Sequence, residues 1–158
     1  MGKGEVARES VLEFLLAGRC RTTLKSEKTG NQYTYKILLN DKDNEKIKNG
    51  VKVNPIMYYV QIAYEYDKYT YAGYILVDSE KRTVTFHQGK KGKMIETSTS
   101  IKGLVWVINR LLNDKSIDGV QVYHLGKCAK CGRALTDSDS IRYGLGPVCR
   151  RGKFKKVI

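Results

Sequence analysis

No stretch of this chain approaches the roughly 18–20 consecutive apolar residues that a membrane-spanning helix needs, which excludes a helical membrane protein. Phe14-Leu-Leu-Ala-Gly18 is too short for a secretory signal core and follows Glu5, Glu9 and Glu13 instead of a basic segment, so an intracellular setting is expected. Acids are scarce: 16 Asp and Glu stand against 29 Lys and Arg, a formal charge of +13 that calls for an acidic partner or surface. There are only four cysteines. Three fall between positions 128 and 149, and a Cys-x2-Cys pair is too tight for a disulfide framework; in a reducing compartment that spacing favours metal. No internal repeat is present. The 158 residues are enough to bury most of their apolar surface in one core.

Hydrophobic periodicity then sets the order of elements. From Glu5 to Ala17 apolar residues recur at Ala7, Val11, Phe14 and Leu15, which predicts a helix ended by Gly18. Arg21 to Leu39 reads as a hairpin turning at Gly30-Asn31, with Tyr33, Tyr35, Ile37 and Leu39 on one face. Asn40 to Gly50 reads as a charged loop, without the Gly and Glu positions of a calcium loop. Met57–Tyr66, Tyr71–Val77 and Thr83–His87 continue as short-linked strands, followed by a basic loop from Gln88 to Lys93. Ser98, Thr99 or Ser100 caps a second helix with a stripe of Ile101, Leu104, Val105, Ile108, Leu111 and Leu112. Val120–Tyr123 is a last strand. The expected fold class is α+β: an antiparallel β-meander with two packing helices and a C-terminal zinc-binding module. The expected divisions are residues 1–123 for the sheet domain, 124–150 for the module and 151–158 for a basic tail.

Seven of the eleven tyrosines lie between Tyr58 and Tyr74. Aromatics on an open sheet face can stack unpaired bases, and Tyr59, Tyr69 and Tyr71 are the candidates because they fall off the main apolar face or near a turn. Tyr is equally a common strand former whose hydroxyl suits half-buried positions. No ribonucleoprotein-type signature strand accompanies them.

The densest chemistry is at the end of the chain. His124, Cys128, Cys131 and Cys149 follow the pattern H-x3-C-x2-C-x17-C. Zinc takes four thiolate or imidazole ligands in a tetrahedron. Cys128 and Cys131 share a tight turn that Gly132 reverses, and Lys130 and Arg133 lower the cost of ionising the thiols. Thr136 is placed to cap a short helix with Asp139 three residues on, Gly144 to end it, and Gly146-Pro147 to return Cys149 to the first pair. His124 is the expected fourth ligand; Cys20 or water are the alternatives, Cys20 otherwise being a small buried apolar residue. A catalytic zinc would need an open position and a nearby acid or base. The His-x-Glu and Pro-Cys-x2-Cys signatures of zinc deaminases are absent, and Asp137 and Asp139 are explicable as helix caps. The zinc is therefore read as structural and the chain as non-enzymatic, with no small-molecule substrate evident.

This module resembles a family of uncharacterised, largely phage-encoded proteins with the form H-x-G-x-C-x2-C-G-R-x-L-T, a serine–isoleucine pair, then G-x-G-P-x-C. The matching residues are His124, Gly126, Cys128, Cys131, Gly132, Arg133, Leu135, Thr136, Ser140, Ile141, Gly144, Gly146, Pro147 and Cys149. The resemblance implies zinc, a phage origin and the host bacterial cytoplasm, and carries no defined activity. Nine Lys and Arg lie in this region, Lys127, Lys130, Arg133, Arg142, Arg150, Arg151, Lys153, Lys155 and Lys156, against the two acids Asp137 and Asp139. The expectation is a zinc protein that binds nucleic acid through that basic surface and tail. The alternative is an accessory protein that binds and inhibits an acidic host protein, in defence or takeover.

Overall fold

A computed structural model describes residues 4–92 and 97–150. Its centre is a six-stranded sheet in the order β5-β4-β3-β2-β1-β6, antiparallel at every junction. The strands are β1 Arg19–Ser26, β2 Gln32–Leu39, β3 Ile56–Glu65, β4 Lys68–Asp78, β5 Thr83–His87 and β6 Val120–His124. The helices are α1 Val11–Leu15, α2 Asp41–Lys48, α3 Thr99–Leu112, α4 Ser138–Tyr143 and α5 Pro147–Arg150. The α+β architecture with a cysteine cluster in its C-terminal region is as the sequence predicts.

Strand alternation splits the sheet into two unlike faces. On one, Cys20, Thr22, Leu24, Tyr35, Ile37, Tyr58, Val60, Ile75, Val77, Val84 and Phe86 are buried. Helices α1 and α3 lie on this face: the Tyr58 hydroxyl donates to Leu16 O at 2.8 Å just after α1, and the Tyr35 hydroxyl donates to Ser100 O at 2.7 Å in α3. These bonds let two tyrosines sit in an apolar core without an unmet polar atom. Helix α3 contributes Ile101, Leu104, Val107, Ile108 and Leu112. Its Asn109 also caps the sheet, accepting from Val84 N at 2.8 Å on edge strand β5. Residues 4–6 close the other edge, with His124 N donating to Gly4 O and Val6 N to Val122 O.

Three expectations change. The first helix is shorter, a single 3-10 turn at Arg8–Ser10 followed by α1, because Glu5 is taken into a bridge with Tyr123. The charged segment after Asn40 is a helix and not a loop. Its apolar periodicity is poor, but the Asn40 side chain accepts from Asp43 N at 3.2 Å, acids occupy the first turn and Lys46 and Lys48 the last. The short helix α4 is capped by Asp137 and not by Thr136, one residue later than the spacing suggested. Of the loop from Gln88 to Lys93, Lys93 lies outside the described residues.

Candidate metal centre

Strand β6 hands the chain to a knuckle, and the knuckle is tied to the sheet by main-chain bonds. Arg19 N donates to Ala129 O at 2.7 Å, Ala129 N to Gly144 O at 3.1 Å and Ala7 N to Arg142 O at 2.8 Å. Cys128, Ala129, Leu135, Leu145 and Cys149 belong to the same buried cluster as Phe14 and Leu24. Within the turn, Gly132 N donates to Cys128 O and Cys128 N to Arg133 O. Gly132 adopts φ +79°, a left-handed conformation that a side chain would strain. Helix α4 ends at Gly144 with φ +71°, and Pro147 opens the turn α5 that carries Cys149 back.

The result is that the Sγ atoms of Cys128, Cys131 and Cys149 all lie within 4.8 Å of one another. Tetrahedral zinc at about 2.3 Å from each thiolate spaces sulfurs by about 3.8 Å, so only small adjustments are needed. Burial pushes the Cys128 thiol up, but main-chain N–H groups of Gly146, Cys131 and Lys130 converge on its sulfur and leave it below the ordinary thiol value. Two of these contacts measure 3.2 Å from Gly146 N and 3.4 Å from Lys130 N. Cys149 is pushed up to about 12, by burial first and then by the neighbouring Cys128 sulfur. One thiolate thus forms readily and opposes a second. A divalent cation between them would reverse that opposition. The three thiols fit a metal ion.

His124 is not among the grouped ligands, contrary to the expected set. Its Nε2 lies 2.8 Å from Ile141 O, a carbonyl that only accepts, so Nε2 carries the proton. Its Nδ1 accepts from Gly126 N at 2.9 Å. Nε2 thereby fastens β6 to α4, and Nδ1 holds the turn that follows β6. Burial holds the imidazole below its ordinary value of 6.5, against the favourable Ile141 carbonyl. Cys20, the reserve ligand, is fully buried in the sheet core, where desolvation raises its thiol. Cys20 is likewise outside the cluster.

The basic residues divide into those that face outward and those already occupied. Arg142 pairs with Glu9 at 3.4 Å and lies over the Tyr143 ring. Arg150, with 18% of its side chain exposed, contacts Asp137 at 3.5 Å and Ser140 Oγ at 3.3 Å. Arg150 serves the knuckle's own packing, while Arg142 stays exposed and pairs with the turn before α1. Lys130 is half-buried beside the sulfurs, and burial lowers its ammonium despite the opposing Cys149 and Cys128 charges. Arg133 is exposed. Arg151, Lys153, Lys155 and Lys156 lie outside the described residues. Lys127 lines a groove where it meets Arg19, Arg21 and Lys36 from β1 and β2 beside Cys131 and Gly132. This groove has a volume of about 500 Å³ and no carboxylate among its described lining. The three sheet cations were overlooked in the sequence. Their signal was there: Cys20, Thr22 and Leu24 alternate with Arg19, Arg21 and Thr23, which puts the arginines on the face away from the core.

The fold and site define a three-thiol knuckle, with the spacing to hold a metal ion, docked on an antiparallel sheet. Residues 120–152, which span β6 and all three thiols, match the model of DUF6011, a family of unknown function. No curated protein and no solved structure matches the chain. Among the described residues no helix is long and apolar enough to cross a membrane.

Proposed function

We propose that this chain is a non-enzymatic protein that binds nucleic acid through a cationic groove, and that a zinc ion held by Cys128, Cys131 and Cys149 keeps one wall of that groove in place. The observation that carries the reading is the meeting of Lys127, from the knuckle, with Arg19, Arg21 and Lys36, from the sheet, around one open groove. Four cations without a carboxylate are a phosphate-binding arrangement. Zinc suits the donor set because three thiolates are soft ligands and reduced thiols persist in the cytoplasm. Asp137 is spent on capping α4 and on Arg150, which supports a structural and not a catalytic metal. The setting that the resemblance implies, a bacteriophage protein in the host cytoplasm, accords with reduced cysteines.

The test is binding of zinc-loaded protein to labelled oligonucleotides at two salt concentrations. Four phosphate contacts give a log–log salt slope of roughly −3, hence about a 50- to 150-fold loss between 50 and 200 mM. Arg21→Gln and Lys127→Gln should each flatten that slope by about one. No binding at low salt would sink the reading. A partner captured from lysate after nuclease treatment would point instead to the acidic host protein.

A further inference from the structure

The second face of the sheet carries a different pattern from the first. Along β1–β5 its residues are Arg19, Arg21, Thr23 and Lys25, then Thr34, Lys36 and Leu38, then Met57, Tyr59, Gln61 and Ala63, continuing into β4 and β5; none of them is buried. Among the described residues α1 and α3 both pack on the opposite side.

Strand β4 supplies the aromatic part through an irregularity. Simple alternation would send Tyr69 and Tyr71 to one face and Tyr74 to the other. Instead the register with β3 shifts between Val60 and Gln61, so that Tyr69 pairs with Ala63, Tyr71 with Gln61 and Tyr74 with Tyr59. The extra residue is absorbed at Ala72-Gly73, and all three rings reach the face opposite α1 and α3, with Gly89 beside the Tyr71 ring. Glycine is required there: at φ +156° a Cβ on Gly73 would stand 2.4 Å from His87 O. The rings are arranged and not scattered. Tyr74 stacks on His87 with centroids 5.2 Å apart and planes at 15°, and Tyr59 lies 6.3 Å from Tyr71. The Tyr59 hydroxyl accepts from Asn40 Nδ2 at 2.8 Å, which fixes that ring. Lys36 Nζ sits 4.2 Å above the Tyr69 ring, at the seam between the aromatic and cationic halves of the face.

We infer that this face is a stacking platform for an unpaired nucleic-acid strand: Tyr59, Tyr71 and Tyr74 take bases, while Arg19, Arg21 and Lys36 hold the phosphates that run alongside. The inference rests on the nucleic-acid reading above and narrows it from any polynucleotide to a single strand. A duplex hides its base faces inside the stack, so rings on a sheet face gain nothing from it, whereas every unpaired base offers a π-face. An acidic protein surface would be served by the cations but would leave the tyrosines beside them unused. Charge complementarity and aromatic geometry together select the single strand.

The experiment compares binding of a fluorescein-labelled oligothymidylate of about a dozen nucleotides with a duplex of the same length, read by anisotropy at low salt. The wild type should favour the single strand. Tyr74→Leu should weaken that binding about 5- to 100-fold with the salt slope unchanged, whereas Tyr74→Phe, which keeps the ring, should stay close to wild type. Proton NMR of the wild type settles the matter should the leucine variant unfold, because stacked bases shift tyrosine ring signals upfield on titration. A salt-dependent wild type with an unaffected folded Tyr74→Leu variant, unshifted ring signals, or equal affinity for duplex would overturn the platform and leave the cationic groove standing. Absence of binding to either oligonucleotide would overturn both.

Discussion

Gly144 is where the knuckle and the first helix interlock, and one methyl group tests that contact. Its φ of +71° is left-handed, and a Cβ added there would lie 2.4 Å from Phe14 Cδ1 and 2.7 Å from Cε1. Phe14 is 0% exposed and has no room to withdraw. Gly126 is the control, with φ +83° and nothing within 4 Å of an added Cβ. Alanine at Gly126 should cost only the left-handed strain, about 1–2 kcal/mol, partly offset by the stiffer unfolded chain. Alanine at Gly144 adds overpacking of about 1–3 kcal/mol, for a total of about 2–5 kcal/mol. At about 2–4 °C per kcal/mol for a chain of this size, Gly144→Ala should lower Tm by about 4–20 °C and Gly126→Ala by about 4 °C or less. Thermal unfolding of metal-loaded protein followed by circular dichroism reads both. Equal shifts for the two variants would refute the docking of the knuckle on α1.

His124 makes stability depend on pH. Its folded value lies below the ordinary 6.5, so as pH falls the unfolded chain takes up the proton first. The contribution is therefore complete above about pH 6.5 and declines below it, because a protonated Nδ1 would face Gly126 N–H, donor to donor. Urea midpoints of wild type and His124→Asn, measured above and below that value, should show the variant with the shallower fall; parallel curves would place the proton elsewhere. Asn40→Ala should cost about 1 kcal/mol, since it removes the cap of α2 along with the tether on Tyr59. A change within experimental error would return residues 41–48 to the loop that their composition suggests.

What the sequence disclosed depended on how local the cause was. The strands from Tyr33 to His87 were legible because alternation of apolar residues is enforced by a helix-covered face, and the knuckle cysteines because Cys-x2-Cys with a Gly-Pro return has few other uses. The α2 helix was hidden because it buries no residue and leaves only its cap and charge order as signals. The role of His124 was misjudged because spacing reports reach along the chain but not the Ile141 carbonyl that takes its proton. The facing of Tyr74 with Tyr71 was illegible for a similar reason: the bulge at Gly73 is a matter of register between two strands, and simple alternation assigns the ring to the wrong side. The cations of β1 were overlooked because attention followed charge density near the cysteines, where Arg142 and Arg150 turn out to be held by Glu9 and Asp137.

A metal bound by Cys128, Cys131 and Cys149 would hold Lys127 against the cations of the sheet. The most direct test is oligonucleotide affinity at fixed low salt for one preparation stripped of metal and then reconstituted with zinc, with bound zinc counted by native mass spectrometry. One zinc per chain is expected, with weakened binding and a loss of several kcal/mol in stability without it, and recovery of both on its return. Metal-free protein that binds the oligonucleotide as tightly as the zinc-loaded form would contradict it.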